Sequence, residues 1–177
     1  MYSEYHKAIC EQMRISAQDR RVIFLGQQVL SEDFYATLKH ISVSKRIEMP
    51  VAEDMQLGLS IGLALEGFIP ISIFQRMDFL PRACDQLINH LNLISDMSSG
   101  LFRPKVIIRT TIGTKSHLDV GPQHSQDLTK MFKSIIKFPV WKVTTPKEVR
   151  DAYKFARKSD NSVMIVEIQD LYRVKGK

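Results

Sequence analysis

The chain has 177 residues, 44% of them hydrophobic and 25% charged, which is the make-up of one ordinary domain with its own core and excludes a disordered or fibrous chain. Its formal charge of +6 raises nucleic acid as a ligand, but the Lys and Arg residues are scattered and no nucleic-acid-binding module accompanies them, so no such partner is expected. No run reaches the roughly 18 apolar residues of a membrane span, the start has charge where a signal peptide is apolar, and two cysteines without metal-ligand spacing fit a reduced, cytoplasmic protein that binds no metal itself.

Residues 1–177 read as a single domain, with an N-terminal helix within 1–20 and a basic tail at 173–177. In chain order the pattern predicts a helix from Ser3 to Ile15, a strand Arg21–Leu25, a helix from Ser31 to Ile41 and a strand Arg46–Met49. A helix Glu53–Leu65 follows, with Gly67 placed to end it. Next come a strand Ile69–Phe74, a long helix from Phe79 to Asp96 and a strand Lys105–Arg109. A long loop from Thr110 to Gln126 leads to a helix Asp127–Ile136 and a strand Val140–Thr144. The helix Pro146–Lys158 opens with a capping box, Thr145 at the N-cap and Glu148 three residues on, and a strand Ser162–Ile168 closes the series. Several strands are continuously apolar, as strands buried on both faces are. The predicted fold is therefore α/β: an open, mostly parallel sheet of about six strands with helices on both faces.

Ligands of such sheets lie at the carboxyl ends of the strands. Glu53, the segment from Gln75 to Phe79 and the loop from Thr110 to Gln126 all fall there. Glu53 is a carboxylate at the first turn of an otherwise apolar helix, and Asp54 already serves the helix dipole, so Glu53 is the candidate for chemistry. The same helix carries Gly58 and Gly62, whose cost of about 1 kcal/mol each against alanine calls for a close neighbour. That neighbour is either this chain's own packing or a second subunit. His117 and His124 lie in the long loop, where a histidine is either solvated or a proton carrier. No Ser/His/Asp arrangement, zinc spacing, P-loop or Gly-x-Gly-x-x-Gly is present.

Five segments then recur in one order. They are Pro50-Val51-Ala52-Glu53 with Gly58, Gly62, Ala64 and Gly67; Phe79 followed by Ala83-Cys84-Asp85-Gln86-Leu87-Ile88-Asn89; Met97-Ser98-Ser99-Gly100; Gln123-His124-Ser125-Gln126; and Ser162-Val163, Glu167 and Leu171-Tyr172. Together they resemble the pyrimidine-binding domain of thiamine diphosphate enzymes, and most of all the β subunit of 2-oxo acid dehydrogenase E1 components within the transketolase group. The likeness runs from about Val22 to Tyr172.

The resemblance implies that Glu53 hydrogen-bonds N1′ of the cofactor's aminopyrimidine and favours the tautomer whose 4′ nitrogen takes the C2 proton of the thiazolium. It implies that His124 faces the substrate and helps in proton transfer, and that Phe79, Gln27, Gln75 and Arg76 surround the ring. Two positions depart from the pattern: Gln27 stands where relatives carry a glutamate, and Arg76 where many carry a ring-stacking phenylalanine. The diphosphate and Mg²⁺ motif, Gly-Asp-Gly…Asn, is absent from the chain. The resemblance thus implies a shared thiamine diphosphate, with Mg²⁺ bound by a partner: an α-type subunit carrying the diphosphate-binding domain. An α2β2 assembly with a β–β contact through the Gly58/Gly62 helix is expected. The small-molecule substrate would be a 2-oxo acid or ketose, handled by decarboxylation, carboligation or ketol transfer. The alternative is a non-catalytic or regulatory paralogue that only assembles with a partner.

Overall fold

The computed structural model describes residues 1–31, 34–115 and 119–174. His117 and residues 175–177 of the basic tail lie outside them. Among the described residues six strands form one sheet: β1 (Val22–Gly26), β2 (Arg46–Glu48), β3 (Ile69–Phe74), β4 (Ile107–Ile112), β5 (Val140–Lys142) and β6 (Val163–Ile168). Their order is β2-β1-β3-β4-β6-β5, and every adjacent pair is parallel. The predicted parallel sheet is present, and its reason is visible in β3, where all six residues are buried. Pro70 is tolerated in this central strand because pairing with β4 starts only at Ile71, after the missing N–H.

Helices cover both faces. On one, α1 (Glu4–Ser16) packs against α5 (Pro146–Lys158), and Ile9, Met13, Ala152 and Tyr153 meet Phe24, Ile71 and Ile165 in one core. On the other, α2 (Glu53–Leu65) and α4 (Thr129–Ile135) bury Leu57 and Phe132 with Phe74, Ile108 and Met164. The capping box of α5 is formed: Glu148 N–H donates to Thr145 Oγ1 at 3.1 Å, and the Glu148 carboxylate accepts from Thr145 N–H at 3.2 Å. Among the described residues no helix is long and apolar enough to cross a membrane.

Three expectations are corrected. The helix expected from Ser31 to Ile41, of which residues 32 and 33 lie outside the described residues, is a run of turns from 34 on. Phe34, Tyr35 and Ala36 take φ of +45°, +54° and +60°. Two buried arginines explain it. Arg46 donates to the carbonyls of Val29 at 3.0 Å and Leu38 at 2.7 Å, and also to that of Ile41. Arg109 reaches Thr37 Oγ1 at 2.9 Å and stacks over the Phe34 ring. Carbonyls given to an arginine are not free for a helix ladder.

The long helix expected from Phe79 to Asp96 is broken. A 3-10 segment spans Met77–Ala83 around Pro81, a wide π-type turn spans Asp85–Leu91, and α3 is only Ile94–Met97. Pro81 lacks the N–H that a regular α-helix needs there. The fourth strand, expected to end at Arg109, continues to Ile112, because Arg109 is neutralised inside the sheet by Glu167 of β6.

Candidate active site

The chain leaves β1 toward β2 on one side and leaves β3 toward β4 on the other, so the sheet's switch point lies between β1 and β3. Gln27 follows β1, Gln75 follows β3, and Glu53 opens the helix that enters β3, so all three reach that point from different elements. The approach is close. A side chain at Gly26 would overlap the Ile73 carbonyl oxygen, so glycine is required where β1 gives way to Gln27. Gln56, buried one turn after Glu53, donates to Ser72 Oγ at 3.1 Å and the Ile73 carbonyl at 3.0 Å. It pins the start of α2 to β3 and so fixes where Glu53 stands.

Glu53 is 3% exposed. Gln27 Nε2 donates to its Oε1 at 3.3 Å, and Gln75 Nε2 donates to the Gln27 carbonyl at 3.4 Å. Oε2 is buried without a hydrogen bond, although Arg82 Nε stands 3.1 Å away as an ion-pair partner. The N–H of Arg82 is close to the acid but not aimed at it.

A second cluster is built on Arg76, which follows Gln75 in the chain. Phe79 and His124 meet edge to face, with ring centroids 5.7 Å apart. Arg76 Nη1 donates to the His124 carbonyl and to Gln169 Oε1, each at 3.2 Å. Asp78 accepts from the backbone and side-chain N–H groups of Gln126, each at 3.1 Å. The Gln123–Gln126 motif is therefore clamped to the turn that follows β3. A side chain at Gly113 would overlap the His124 carbonyl oxygen and Arg76 Nη1, so that glycine sets how near the motif lies. The site residues that the resemblance named, Glu53, His124, Phe79, Gln27, Gln75 and Arg76, fall in these two clusters, whereas His117 lies outside the described residues. The sequence reading missed Arg82, Gln56 and Gly113. A lone cation beside Pro81 and a glycine just past a strand were the available signals. Among the described residues no group of three or more His, Cys, Asp or Glu side chains could hold a metal ion.

Residues 5–175 match the family model described as the transketolase pyrimidine-binding domain. The chain belongs to that family. It is 27% identical over 185 residues to the pyruvate dehydrogenase E1 component subunit beta of Chlorokybus atmophyticus, covering 99% of this chain and 52% of the relative. It is 31% identical over 166 residues to the mitochondrial pyruvate dehydrogenase E1 component subunit beta of Ascaris suum, covering 89% of this chain and 45% of the relative. The chain thus spans about half the length of these relatives. Among solved structures, the transketolase of Campylobacter jejuni matches 93% of this chain and 25% of its own, with TM-score 0.74 and 14% identity. A split-gene transketolase, an inactive β4 tetramer, matches 94% of this chain and 50% of its own, with TM-score 0.67 and 17% identity. At such identities the likeness to these structures is one of fold.

In pyrimidine-binding-domain terms, the α2 glycines divide. A side chain at Gly58 would be in ordinary contact with Gln86 of this chain, 3.5 Å away, whereas at Gly62 nothing among the described residues lies within 4 Å. The helix face around Gly62 also exposes Met55, Leu59 and Leu65.

Proposed function

We propose that this chain is the β-type subunit of a split thiamine diphosphate-dependent enzyme acting on a 2-oxo acid or ketose, by decarboxylation, carboligation or ketol transfer. The observation that carries this reading is Glu53: a carboxylate buried at the switch point of a parallel sheet, with one oxygen free of hydrogen bonds. An acceptor left open in that way fits the N1′–H that an aminopyrimidine carries in its imino tautomer or when protonated, so the residues present suit that ring. Glu53, Phe79, Gln27, Gln75 and Arg76 would hold it. When bound, thiamine diphosphate supplies an acidic thiazolium carbon and an electron sink for carbonyl chemistry.

The chain's own residues have distinct tasks. Glu53 accepts the ring N–H, and its burial keeps water from competing. Gln27 orients the carboxylate through Oε1. As an amide it steers the acid but does not relay a proton. His124, fixed by the clamp on its backbone, carries protons at the substrate edge. Arg76 adds a positive charge beside it, which suits an anionic substrate.

A diphosphate-binding α-type partner that holds Mg²⁺ belongs to this reading, supported by relatives named as beta subunits. An α2β2 assembly with a β–β contact along α2 is supported by the open face at Gly62.

The test uses the chain purified together with its partner. Exchange of the C2 proton of bound thiamine diphosphate into D2O, read by NMR after acid quench, needs no knowledge of the substrate. Wild type should exchange fast, and Glu53→Gln should slow exchange by about 10²-fold or more while the complex still assembles. Near-normal exchange in the variant refutes the role of Glu53. A wild-type complex that binds no cofactor leaves an assembling domain without this chemistry.

A further inference from the structure

Arg82 is placed to guard Glu53. It follows Pro81 on the 3-10 segment Met77–Ala83, which also carries Phe79. Its Nε is 3.1 Å from Glu53 Oε2, and among the described residues this is its one ion-pair contact. The two partners are unequal, for the acid's side chain is 3% exposed and the arginine's 72%. A buried carboxylate stripped of its cation is strongly destabilising. An exposed arginine that leaves a poorly aligned ion pair gives up little, at most about fivefold in an equilibrium constant. The oxygen that Arg82 covers is also the one left without a hydrogen bond.

Resting on the thiamine diphosphate reading, we infer that Arg82 is a displaceable latch: it neutralises Glu53 in the empty subunit and yields Oε2 to the ring N–H when cofactor binds. The geometry distinguishes a latch from a permanent support. A support would aim an N–H at the oxygen and would itself be held by neighbours. Arg82 does neither. Gln27, whose amide does donate to Oε1, is the support. Removing the arginine therefore removes a competitor of the cofactor and not a contact with it.

The experiment has two arms. In the first, urea unfolding of the full chain without cofactor is measured for wild type, Arg82→Ala, Glu53→Gln and the double variant. The cycle should show a coupling of about two- to fivefold in the unfolding constant. In the second, the complex with its partner is titrated with thiamine diphosphate and Mg²⁺ by calorimetry. Arg82→Ala should bind about two- to fivefold more tightly than wild type, with Arg82→Lys close to wild type. Absence of coupling in the first arm overturns the latch even where cofactor binds. Unchanged or weaker cofactor binding by Arg82→Ala overturns it too, the weaker case marking Arg82 as a support. Coupling in the first arm with no cofactor binding by any complex overturns the functional reading, and the latch with it.

Discussion

Glu167→Gln is the sharpest test of how this fold holds its interior. Glu167 and Arg109 have no exposed side-chain surface, and four donors converge on the carboxylate. Arg109 Nε donates to Oε1 at 3.0 Å and Nη2 to Oε2 at 2.9 Å. Tyr153 donates to Oε1 at 2.7 Å, and Tyr172 donates to Oε2. Burial and then the charge of Glu167 push both phenols well above their ordinary range, so they remain donors. An amide replaces one acceptor oxygen with an NH2 group that faces two of the four donors. Two buried donors left unpaired cost about 1–3 kcal/mol each, and breaking one side of a buried ion pair costs about 3–5 kcal/mol. These are two accounts of one loss, and they overlap at about 3–5 kcal/mol. The melting temperature should fall by about 6–20 °C, at about 2–4 °C per kcal/mol for a chain of this size. Urea unfolding followed by circular dichroism gives the free energy directly. Combining Glu167→Leu with Arg109→Met should cost less than the sum of the single changes, because neither variant charge is stranded. A loss under about 1 kcal/mol for Glu167→Gln, at unchanged denaturant slope, would refute the reasoning.

Two further outcomes follow from close contacts elsewhere. Gly113→Ala forces a methyl into the His124 carbonyl, which is backbone and cannot swing away. It should destabilise by about 1–3 kcal/mol and, in the complex, slow C2-proton exchange. Unchanged melting and exchange would mean that the clamp on the Gln123–Gln126 motif is loose. His6 is buried, with Nε2 2.9 Å from the Tyr35 carbonyl and its ring stacked on Tyr2. Burial outweighs that hydrogen bond and lowers its pKa. The unfolded chain takes up a proton below about pH 6.5 that the folded chain resists. The stability contribution is therefore complete above that pH and is lost as pH falls from there toward the lower folded value. His6→Gln should flatten this part of the pH–stability curve. Identical curves for the two proteins would sink the assignment.

Local chemistry was legible wherever it was sufficient. The strands announced themselves as continuous Val and Ile runs, the capping box fixed the start of α5, and an acid opening an apolar helix pointed to Glu53. What stayed hidden depends on partners far away in sequence. Phe34, Thr37 and Leu38 have helical spacing, yet their conformation is decided by Arg46, which takes the Leu38 carbonyl, and by Arg109, 72 residues from Thr37. Arg109 itself reads as the end of a strand until Glu167, 58 residues on, is known to neutralise it. Arg82 looks like one more scattered surface cation, and only the fold brings it to an acid that precedes it by a full helix and a strand. The resemblance located the candidate residues, but it could not say that the amide at Gln27 would lean on Glu53, or that a cation would cover that acid's other oxygen.

The contrast between the two buried acids argues where the chemistry lies. Glu167 is given four donors, a bidentate arginine among them, and sits in mid-core. Glu53 is almost as buried but has one hydrogen bond, at 3.3 Å, and a cation that does not point at it. The same fold thus supplies full satisfaction to the acid in mid-core. Incomplete satisfaction of a buried carboxylate is costly, and native chains rarely keep it without a use. Here it occurs at the switch point of the sheet, on the first turn of a helix pinned by Gln56. A purely structural acid at that place would be improved by any second donor. An acid reserved for a ligand's N–H would be spoiled by one.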